Sequence, residues 1–306
     1  MSAAPEDAGS DGVAVDVGGR RLRLSNLDKV LWPETGFTKG QMIDYYRRVA
    51  PALIPHIRGH PVTLARFPDG VGEEGFYQTN CRGCPPWMST HEVRSRRGTL
   101  LRYCVIDDLP SLMWVANLAT IELHPLLSTI EGTERAPAMV FDLDPGPPAS
   151  IVDCCRVALF LREELASRGL EAFPKTSGWK GLHLHVPLDA AATFERTKHF
   201  SRELAVRLAK RHPDVVATEV SRERRAGRVL IDWRQNDPNR SVIAPYSMRS
   251  TPEPGVAAPL SWEEVEAAGD PGEVELRFSP QGVLERLERG DDPFAAVPHL
   301  GQALPD

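Results

Sequence analysis

An α+β fold is predicted, with an N-terminal α/β lobe followed by a split βαβ sheet that carries helices on one face. Between residues 136 and 233, short apolar runs and longer runs of helical periodicity alternate in the order strand, helix, strand, strand, helix, strand. Between residues 39 and 118, two helical patterns flank a segment rich in Gly, Pro, Arg and Cys. A composition of 42% hydrophobic and 25% charged residues over 306 residues allows a core large enough for this architecture.

The N-terminus has a different composition from the rest of the chain. Residues 1–18 are small and acidic and show little periodicity, which predicts a flexible acidic tail before a single domain over 19–306. The tail contains no apolar run, so no signal peptide is predicted. The longest apolar stretch, 109–123, is interrupted by Asn117 and Glu122 and is too short to span a bilayer. We therefore expect a cytoplasmic protein without membrane contact.

The N-terminal lobe is predicted to begin with a helix over 39–54, because Thr38 is a suitable N-cap residue. Residues 70–98 predict loops with short strands, and residues 110–118 predict a second helix. The predicted buried face of the first helix consists of Met42, Ile43, Tyr46 and Val49.

The split βαβ sheet is predicted from its alternating elements. Its strands are expected over 136–144, 171–175, 182–187, 216–220 and 228–233. One helix is expected over 151–168, where Gly169 ends it as a C-terminal cap, and another over 193–211.

Two aspartates end the first strand of this sheet. Asp142 and Asp144 point to the same face because side chains alternate along a strand. Two close carboxylates repel each other unless a cation lies between them, and such hard oxygen ligands suit Mg²⁺ or Mn²⁺. If the strand that contains Asp232 is adjacent, three carboxylates converge as two-metal phosphoryl transfer requires. The alternative is that Asp142 and Asp144 only begin a proline-rich turn.

A glycine-containing turn precedes the third strand. The Ser177 hydroxyl, the Lys180 ammonium and the Gly181 amide can converge there on phosphate oxygens. His183 and His185 follow on one face of the strand. The two histidines could instead bind zinc, although no nearby cysteine or carboxylate completes such a site. His185 could equally be a hydrogen-bonded histidine in a half-buried strand.

Positive charge is concentrated in two stretches, although the net charge is −6. The stretches comprise Arg94, Arg96, Arg97 and Arg102, and separately Arg222, Arg224, Arg225 and Arg228. A basic groove can bind nucleic acid on an otherwise acidic protein. The alternative for each stretch is a solvated loop.

The cysteines are odd in number, which argues for reduced thiols in a cytosolic chain. They are Cys81, Cys84, Cys104, Cys154 and Cys155. Cys81 and Cys84, with His91 and Cys104, could hold zinc. Because their spacing is irregular, zinc at Cys81 and Cys84 is not expected.

Taken together, residues 141–145, 177–183 and 231–233 resemble the three motifs of the archaeo-eukaryotic primase superfamily. The specific resemblance is to the polymerase domain of bacterial ATP-dependent DNA ligase D. It extends over roughly 22–300 and includes the segments 24–33, 44–47, 236–249 and 258–264. The resemblance implies a primase-like catalytic core with an RRM-like sheet.

The resemblance also implies a role for individual residues. Those expected to bind the catalytic metals are Asp142, Asp144 and Asp232. Those expected at the nucleotide are His124, Ser177, Lys180, Gly181, His183, Gln235 and Arg249. Those expected at DNA are Lys29 and Lys39 for a 5′-phosphate, Phe76 and Tyr77 for template bases, and Arg225 for the primer or a bridging end.

The implied activity is template-directed nucleotidyl transfer that fills short gaps or extends ends in DNA repair or non-homologous end joining. The expected substrates are nucleoside triphosphates, with ribonucleotide preference, and DNA with a 5′-phosphate at a gap or break. Mn²⁺ or Mg²⁺ would be the cofactor. Because the sequence ends at Asp306, sealing is expected of a separate ligase, with an end-binding partner such as Ku, at the nucleoid. The alternatives are a metal-dependent phosphoesterase and a non-catalytic nucleic-acid-binding module.

Overall fold

Two five-stranded sheets form the framework of the computed structural model, which describes residues 12–95, 98–189, 191–221, 223–268 and 276–305. The first sheet belongs to the N-terminal lobe and the second contains the predicted split βαβ arrangement. Each sheet is accompanied by its own large group of buried apolar residues.

The strands of the first half are β1 Gly12–Val17, β2 Arg20–Ser25, β3 Val30–Trp32, β4 Phe37–Thr38, β5 Pro61–Arg66, β6 Phe76–Gln78, β7 Thr90–Arg94, β8 Leu100–Val105 and β9 Thr120–Pro125. Those of the second half are β10 Ala138–Pro145, β11 Phe173–Thr176, β12 Leu182–Pro187, β13 Val216–Ala217, β14 Val229–Asp232, β15 Met248–Arg249 and β16 Gly255–Val256. The helices are α1 Lys39–Ile57, α2 Leu109–Asn117, α3 Ile151–Ala166, α4 Phe194–Arg211, α5 Trp262–Ala268 and α6 Pro280–Glu288, with short 3₁₀ helices at Trp233–Gln235 and Val297–His299.

Helix α1 begins where its capping residue predicts. The Thr38 side chain accepts a hydrogen bond from the backbone N–H of Gln41, and the Gln41 side chain accepts one from the backbone of Thr38. This reciprocal pair satisfies two backbone donors that the first turn leaves without partners. The buried face of α1 includes all the residues predicted for it. The predicted second helix is α2, shifted by one residue at each end.

The second sheet has the strand order β11-β12-β10-β14-β13. Its first four strands pair antiparallel, and β13 lies parallel to β14. Strand β12 therefore lies between β10 and β11, which α3 connects, so the sheet has the predicted split βαβ topology. Helices α3 and α4 pack on one face. That face buries Phe141, Leu143, Leu182, Leu184 and Ile231, so the alternate residues of the same strands point away from the helices.

The N-terminal segment differs in part from the predicted tail. Strand β1 covers Gly12–Val17 and pairs along its length with β2, because cross-strand hydrogen bonds stabilise a segment whose own sequence has little apolar pattern. The flexible tail was predicted over 1–18, and its residues 1–11 lie outside the described residues, as do Arg96, Arg97 and Arg222 of the basic stretches. A single domain over 19–306 stays a prediction.

The prediction of reduced cysteines is wrong for one pair. Cys81 and Cys104 form a disulfide, with a sequence separation of 23. The backbone N–H of Cys81 donates to the carbonyl of Arg102 at 2.6 Å, which holds the Cys81 loop against β8. Cys84 is a free thiol beside Arg102. The tertiary pairing of loop and strand, which cysteine counting does not reveal, brings the two sulfurs together.

None of the helices in the described ranges is long and apolar enough to cross a membrane.

Candidate active site

A row of polar side chains crosses the second sheet at one level. Lys175 on β11 lies opposite His183 on β12. His183 in turn lies opposite Asp142 on β10, and Asp142 lies opposite Asp232 on β14. Directly opposed residues of antiparallel strands point to the same face. The row therefore lies on the face of the sheet opposite α3 and α4.

Asp142 is held as a carboxylate by its neighbours. Its Oδ1 lies 3.4 Å from Nε2 of His183. Burial alone would raise the pKa of its carboxyl, but the charge and hydrogen bond of His183, the charge of Lys175 and the amide of Gln235 lower it overall. Burial, with the charge of Lys175, lowers the pKa of His183 despite the adjacent carboxylate. At neutral pH the pair is an ionised Asp142 beside a neutral imidazole.

Asp144 lies two residues further along β10 with its side chain 48% exposed. Its Oδ2 forms an ion pair with Nη1 of Arg225, which belongs to the segment between β13 and β14. A Cβ at Gly146 would lie 2.1 Å from the carbonyl oxygen of Arg225, so only glycine allows this close approach. The arginine predicted to reach DNA thus contacts a predicted metal ligand.

Asp232 ends β14 and caps the 3₁₀ helix Trp233–Gln235. Its Oδ1 accepts a hydrogen bond from the backbone N–H of Arg234 at 3.0 Å and lies 3.6 Å from the Nη1 of that residue. The same short helix carries Gln235, which contacts Asp142. The predicted metal ligands therefore share one face at neighbouring positions, and each has a protein partner.

The carboxylates fit a divalent cation by their chemistry. Their oxygens are the ligands that Mg²⁺ and Mn²⁺ prefer, and the guanidinium of Arg225 already lies on Asp144 as a cation would. Across the ranges that the structure describes, no three His, Cys, Asp or Glu side chains are gathered into a ready-made metal site. Binding would therefore require Asp144 to release Arg225 and the carboxylates to turn toward a common centre.

The turn between β11 and β12 lies beside the row. The Ser177 Oγ accepts hydrogen bonds from the backbone N–H of Trp179 at 3.3 Å and of Gly181 at 3.1 Å. Lys180 and Trp179 are exposed at the tip. A Cβ at Gly181 would lie 2.3 Å from the carbonyl oxygen of Leu143, so glycine is required for the turn to lie against β10. The Ser177 hydroxyl and the Gly181 amide are thus hydrogen-bonded to each other, while Nζ of Lys180 lies 5.9 Å from the centroid of the Trp179 ring. Their convergence on phosphate oxygens stays a prediction.

A buried carboxylate joins His124 to Arg249. Oε2 of Glu122 lies 2.8 Å from Nε2 of His124 and accepts a hydrogen bond from Nη1 of Arg249 at 3.0 Å. Burial alone would raise the pKa of Glu122, but His124, Arg249 and the Ser250 amide lower it to about 2. His124 and Arg249, two of the residues predicted at the nucleotide, are therefore anchored to one ionised group.

Lys175 is completely buried at the end of the row. Its Nζ donates to the carbonyl oxygen of Thr176 at 3.2 Å, and burial, with the charge of Arg249, lowers its pKa well below the usual value. Nδ1 of His183 and Nε2 of His185 have no hydrogen-bond partner within the described structure. His185 packs edge-on against Phe294, with ring centroids 5.6 Å apart. With the described residues, Nε2 of His185 therefore does not form the hydrogen bond that is expected of a structural histidine.

The residues predicted to bind a 5′-phosphate lie together in the N-terminal lobe. Lys39 is 5% exposed, and its Nζ donates to the carbonyl of Ser25 at 2.7 Å. Burial and then the charges of Lys29 and Arg66 lower the pKa of Lys39 to about 8. Lys29 also pairs with Asp69 at 2.7 Å. We refer to Lys29, Lys39 and Arg66 together as the cationic cluster.

The aromatic pair borders the cationic cluster. Phe76 is 46% and Tyr77 68% exposed, which is unusual for large apolar side chains. The guanidinium of Arg66 lies 5.2 Å from the centroid of the Phe76 ring. The Tyr77 ring lies edge-on to His124 at 5.6 Å. The aromatic pair thus connects the cationic cluster to the residues around Glu122.

Sequence reasoning missed Glu122, Lys175 and Arg66. Glu122 entered the prediction only as an interruption of the apolar stretch 109–123. Lys175 adjoins the Ser177 turn, and its strand position on the face of His183 is the signal that could have found it. Arg66 has no local motif, because only the pairing of β5 with β6 brings it to Phe76.

A family model described as "LigD, primase-polymerase domain" matches residues 38–294. The Multifunctional non-homologous end joining protein LigD of Mycolicibacterium smegmatis is 39% identical over 280 residues, which are 90% of this chain and 36% of that protein. The Bifunctional non-homologous end joining protein LigD of Bacillus subtilis is 30% identical over 275 residues, which are 90% of this chain and 44% of that protein. The chain thus spans less than half the length of these relatives.

A solved structure, the polymerase domain from Mycobacterium tuberculosis ligase D in complex with DNA, superposes with a TM-score of 0.86 at 36% sequence identity. The match covers 92% of this chain and 99% of that chain. It confirms the predicted α+β, primase-like fold class and the predicted resemblance.

Proposed function

The chain belongs to the LigD primase-polymerase family, and on this basis we propose that it is a template-directed nucleotidyltransferase that extends a primer across a short gap or bridged break in DNA. One observation carries the proposal most strongly. The strand register sets Asp142 opposite Asp232 on the face of the sheet opposite α3 and α4, beside the Ser177–Gly181 turn. Carboxylates next to a glycine-containing turn combine a place for metal with a place for a triphosphate.

The proposed metal ligands are Asp142, Asp144 and Asp232. When bound, divalent ions, Mn²⁺ or Mg²⁺, would neutralise the triphosphate and lower the pKa of the attacking hydroxyl. His183 keeps Asp142 ionised and oriented through its Nε2 contact. Gln235 steadies the same carboxylate from the 3₁₀ helix.

The proposed nucleotide site lies around these carboxylates. Lys180 is exposed, with its Nζ 5.9 Å from the centroid of the Trp179 ring, and would contact a phosphate. The Ser177 hydroxyl and the Gly181 amide lie at the base of the same turn. Arg249 packs against Gly178 of the turn, where a Cβ would lie 2.5 Å from its Cγ. His124, on the far side of Glu122, would contact the sugar or the base, and a ribonucleotide preference is part of the proposal.

The proposed DNA site uses the N-terminal lobe. Lys29 and Lys39 would hold a 5′-phosphate, since ammonium groups form strong charge-assisted hydrogen bonds to phosphate. Phe76 and Tyr77 would stack on template bases, which exposed aromatic rings do with little sequence preference. Arg225 would move from Asp144 to the primer or to a bridging end. A separate ligase and Ku are the proposed partners at the nucleoid.

The direct test is primer extension on a gapped duplex with a 5′-phosphate, Mn²⁺ or Mg²⁺, and ribo- or deoxynucleoside triphosphates. Templated addition is expected, and the Asp142→Ala/Asp144→Ala variant should lose it while still binding DNA. A matched control is Glu203→Gln, which neutralises an exposed carboxylate on α4. Shortening of the primer would indicate a phosphoesterase instead, and DNA binding without any turnover would indicate a binding module.

A further inference from the structure

Glu122 is a buried carboxylate, and each of its two oxygens has two hydrogen-bond partners. The side chain is 3% exposed. Oε2 contacts His124 at 2.8 Å and Arg249 at 3.0 Å, while Oε1 accepts from the backbone N–H of Ser250 at 2.9 Å and from its hydroxyl at 2.7 Å. A buried carboxylate with this many charge-assisted partners fixes the positions of all of them.

The partners of Glu122 come from distant parts of the chain. His124 is on β9 of the N-terminal sheet, whereas Arg249 is on β15 and follows Glu122 by 127 residues. Glu122 is therefore one of several residues through which the N-terminal lobe is joined to the segment after the second sheet. Its hydrogen bonds set how these two residues face each other.

The contact with Glu122 also fixes which nitrogen of the His124 ring carries a proton. Since a carboxylate only accepts hydrogen bonds, Nε2 of His124 must be the donor. In the neutral imidazole, Nδ1 is then an acceptor, suited to a hydroxyl of a ligand rather than to an anionic oxygen.

Glu122 acts on Arg249 in a second way. Nη1 is held by the carboxylate, while Nε is buried without a hydrogen-bond partner among the described residues. The side chain of Arg249 lies against Gly178 of the Ser177–Gly181 turn. Its guanidinium is thus anchored at one nitrogen beside the turn that would cradle a triphosphate.

We propose that Glu122 is a positioning residue for the nucleoside triphosphate, which holds Arg249 toward the phosphates and His124 toward a sugar hydroxyl. The inference rests on the proposed function, because it assumes that these two residues contact the nucleotide. Glu122 itself is too buried to touch a substrate. It acts through its two partners, and its effect must therefore depend on their presence.

The test is steady-state kinetics of Glu122→Gln on the gapped duplex. Glutamine keeps the shape, but it replaces one acceptor oxygen with an NH₂ group that opposes a donor. The KM for the nucleoside triphosphate should rise about tenfold, while kcat and the KM for DNA stay within about twofold. Ser250→Ala, which removes one hydrogen bond to Oε1 and spares those of His124 and Arg249, should change each constant by less than about twofold.

A double-mutant comparison separates a positioning role from a purely structural one. If Glu122 positions its partners, Glu122→Gln should raise the nucleotide KM by clearly less in a His124→Ala background than it does alone, because part of its effect passes through His124. Additive effects, or a rise in both KM values together with a lower Tm, would overturn the proposal. If Glu122→Gln does not fold, Glu122→Asp, which keeps the charge but reaches less far, undergoes the same comparison.

Failure of the proposed function can be recognised separately. A wild-type protein that adds no nucleotide would contradict the proposed function and not the positioning role. Binding of a fluorescent nucleoside triphosphate, which needs no turnover, then tests Glu122. Unchanged affinity in Glu122→Gln would refute the positioning role, and weaker affinity with an unchanged Tm would support it.

Discussion

Asp142 and Asp232 lie directly opposite each other on the antiparallel strands β10 and β14, although they are far apart in the chain. Opposed carboxylates on one face repel each other, and a cation between them removes the repulsion. Removal of the charge of Asp232 should therefore weaken the binding of a divalent cation.

We expect Asp232→Asn to weaken Mn²⁺ binding at least about tenfold and nucleotide addition about 100-fold or more. Asparagine keeps an oxygen that can accept the hydrogen bond from the Arg234 amide, so the Tm should change little. Mn²⁺ titration followed by electron paramagnetic resonance measures the first effect, and single-nucleotide extension the second. Equal Mn²⁺ affinity in the variant and the wild type would contradict a metal-ligand role for Asp232.

Arg225 competes with a metal ion for Asp144. Because the ion pair must break before Asp144 can bind a cation, Arg225→Ala should raise the affinity for Mn²⁺, about two- to tenfold. Arg224→Ala is the matched control, since Arg224 pairs with Glu219 on the surface. The same titration compares the two variants. A similar affinity for both would mean that the Arg225 ion pair does not oppose metal binding.

Lys39 should make recognition of a 5′-phosphate depend on pH. Burial and then the charges of Lys29 and Arg66 lower its pKa to about 8, so the ammonium is charged below this pH and neutral above it. The preference for DNA with a 5′-phosphate should therefore decline as the pH rises from about 7 to about 9. Lys39→Arg keeps its charge over this range and should show a flat profile. Fluorescence anisotropy with phosphorylated and unphosphorylated DNA measures this preference against pH for the wild type and for Lys39→Arg. The same pH dependence in both proteins would contradict the role of Lys39 at the 5′-phosphate.

Tyr77 is expected to bind DNA through its ring. It is 68% exposed, so Tyr77→Ala removes little folded-state packing but should weaken binding of DNA with an unpaired template base by about 1–3 kcal/mol. Tyr77→Phe keeps the ring and should bind nearly as well as the wild type. Binding to a fully paired duplex serves as the reference. A loss that is equal on both DNAs would argue against base stacking.

His56 should make the fold sensitive to mild acid. Burial, with the charges of His299 and Lys175, lowers its pKa from 6.5 to about 4. The folded state thus favours the neutral ring, and its stabilisation is present above pH 6.5 and lost as the pH falls toward 4. The expected loss in the free energy of unfolding is about 3 kcal/mol.

His56→Phe isolates this contribution, because Phe does not titrate and suits the contacts with Tyr246 and Phe294. Denaturant unfolding at pH 7 and at pH 4.5 should show a smaller loss of stability in the variant than in the wild type. Identical losses would show that His56 does not contribute to acid sensitivity.

Local patterns in the sequence predict most of the elements of the second sheet. Strand β12 has the predicted bounds, and α4 begins after the Thr193 cap, where its pattern starts. These patterns also predict that Asp142 and Asp144 share a face, because strand alternation is a local property. The order of the elements was sufficient to predict the split βαβ topology. Local propensity and periodicity carry this information because they depend on residues close together in the chain.

The partners of the individual side chains, by contrast, depend on the tertiary structure. The opposition of Asp142 to Asp232 depends on strand register, and the ion pair of Asp144 with Arg225 depends on a loop that follows β13. The joining of His124 to Arg249 by Glu122, and of Cys81 to Cys104 by a disulfide, likewise links segments with no shared local pattern. Burial, charge and hydrogen bonding act through space, so these contacts are set only when distant strands pair.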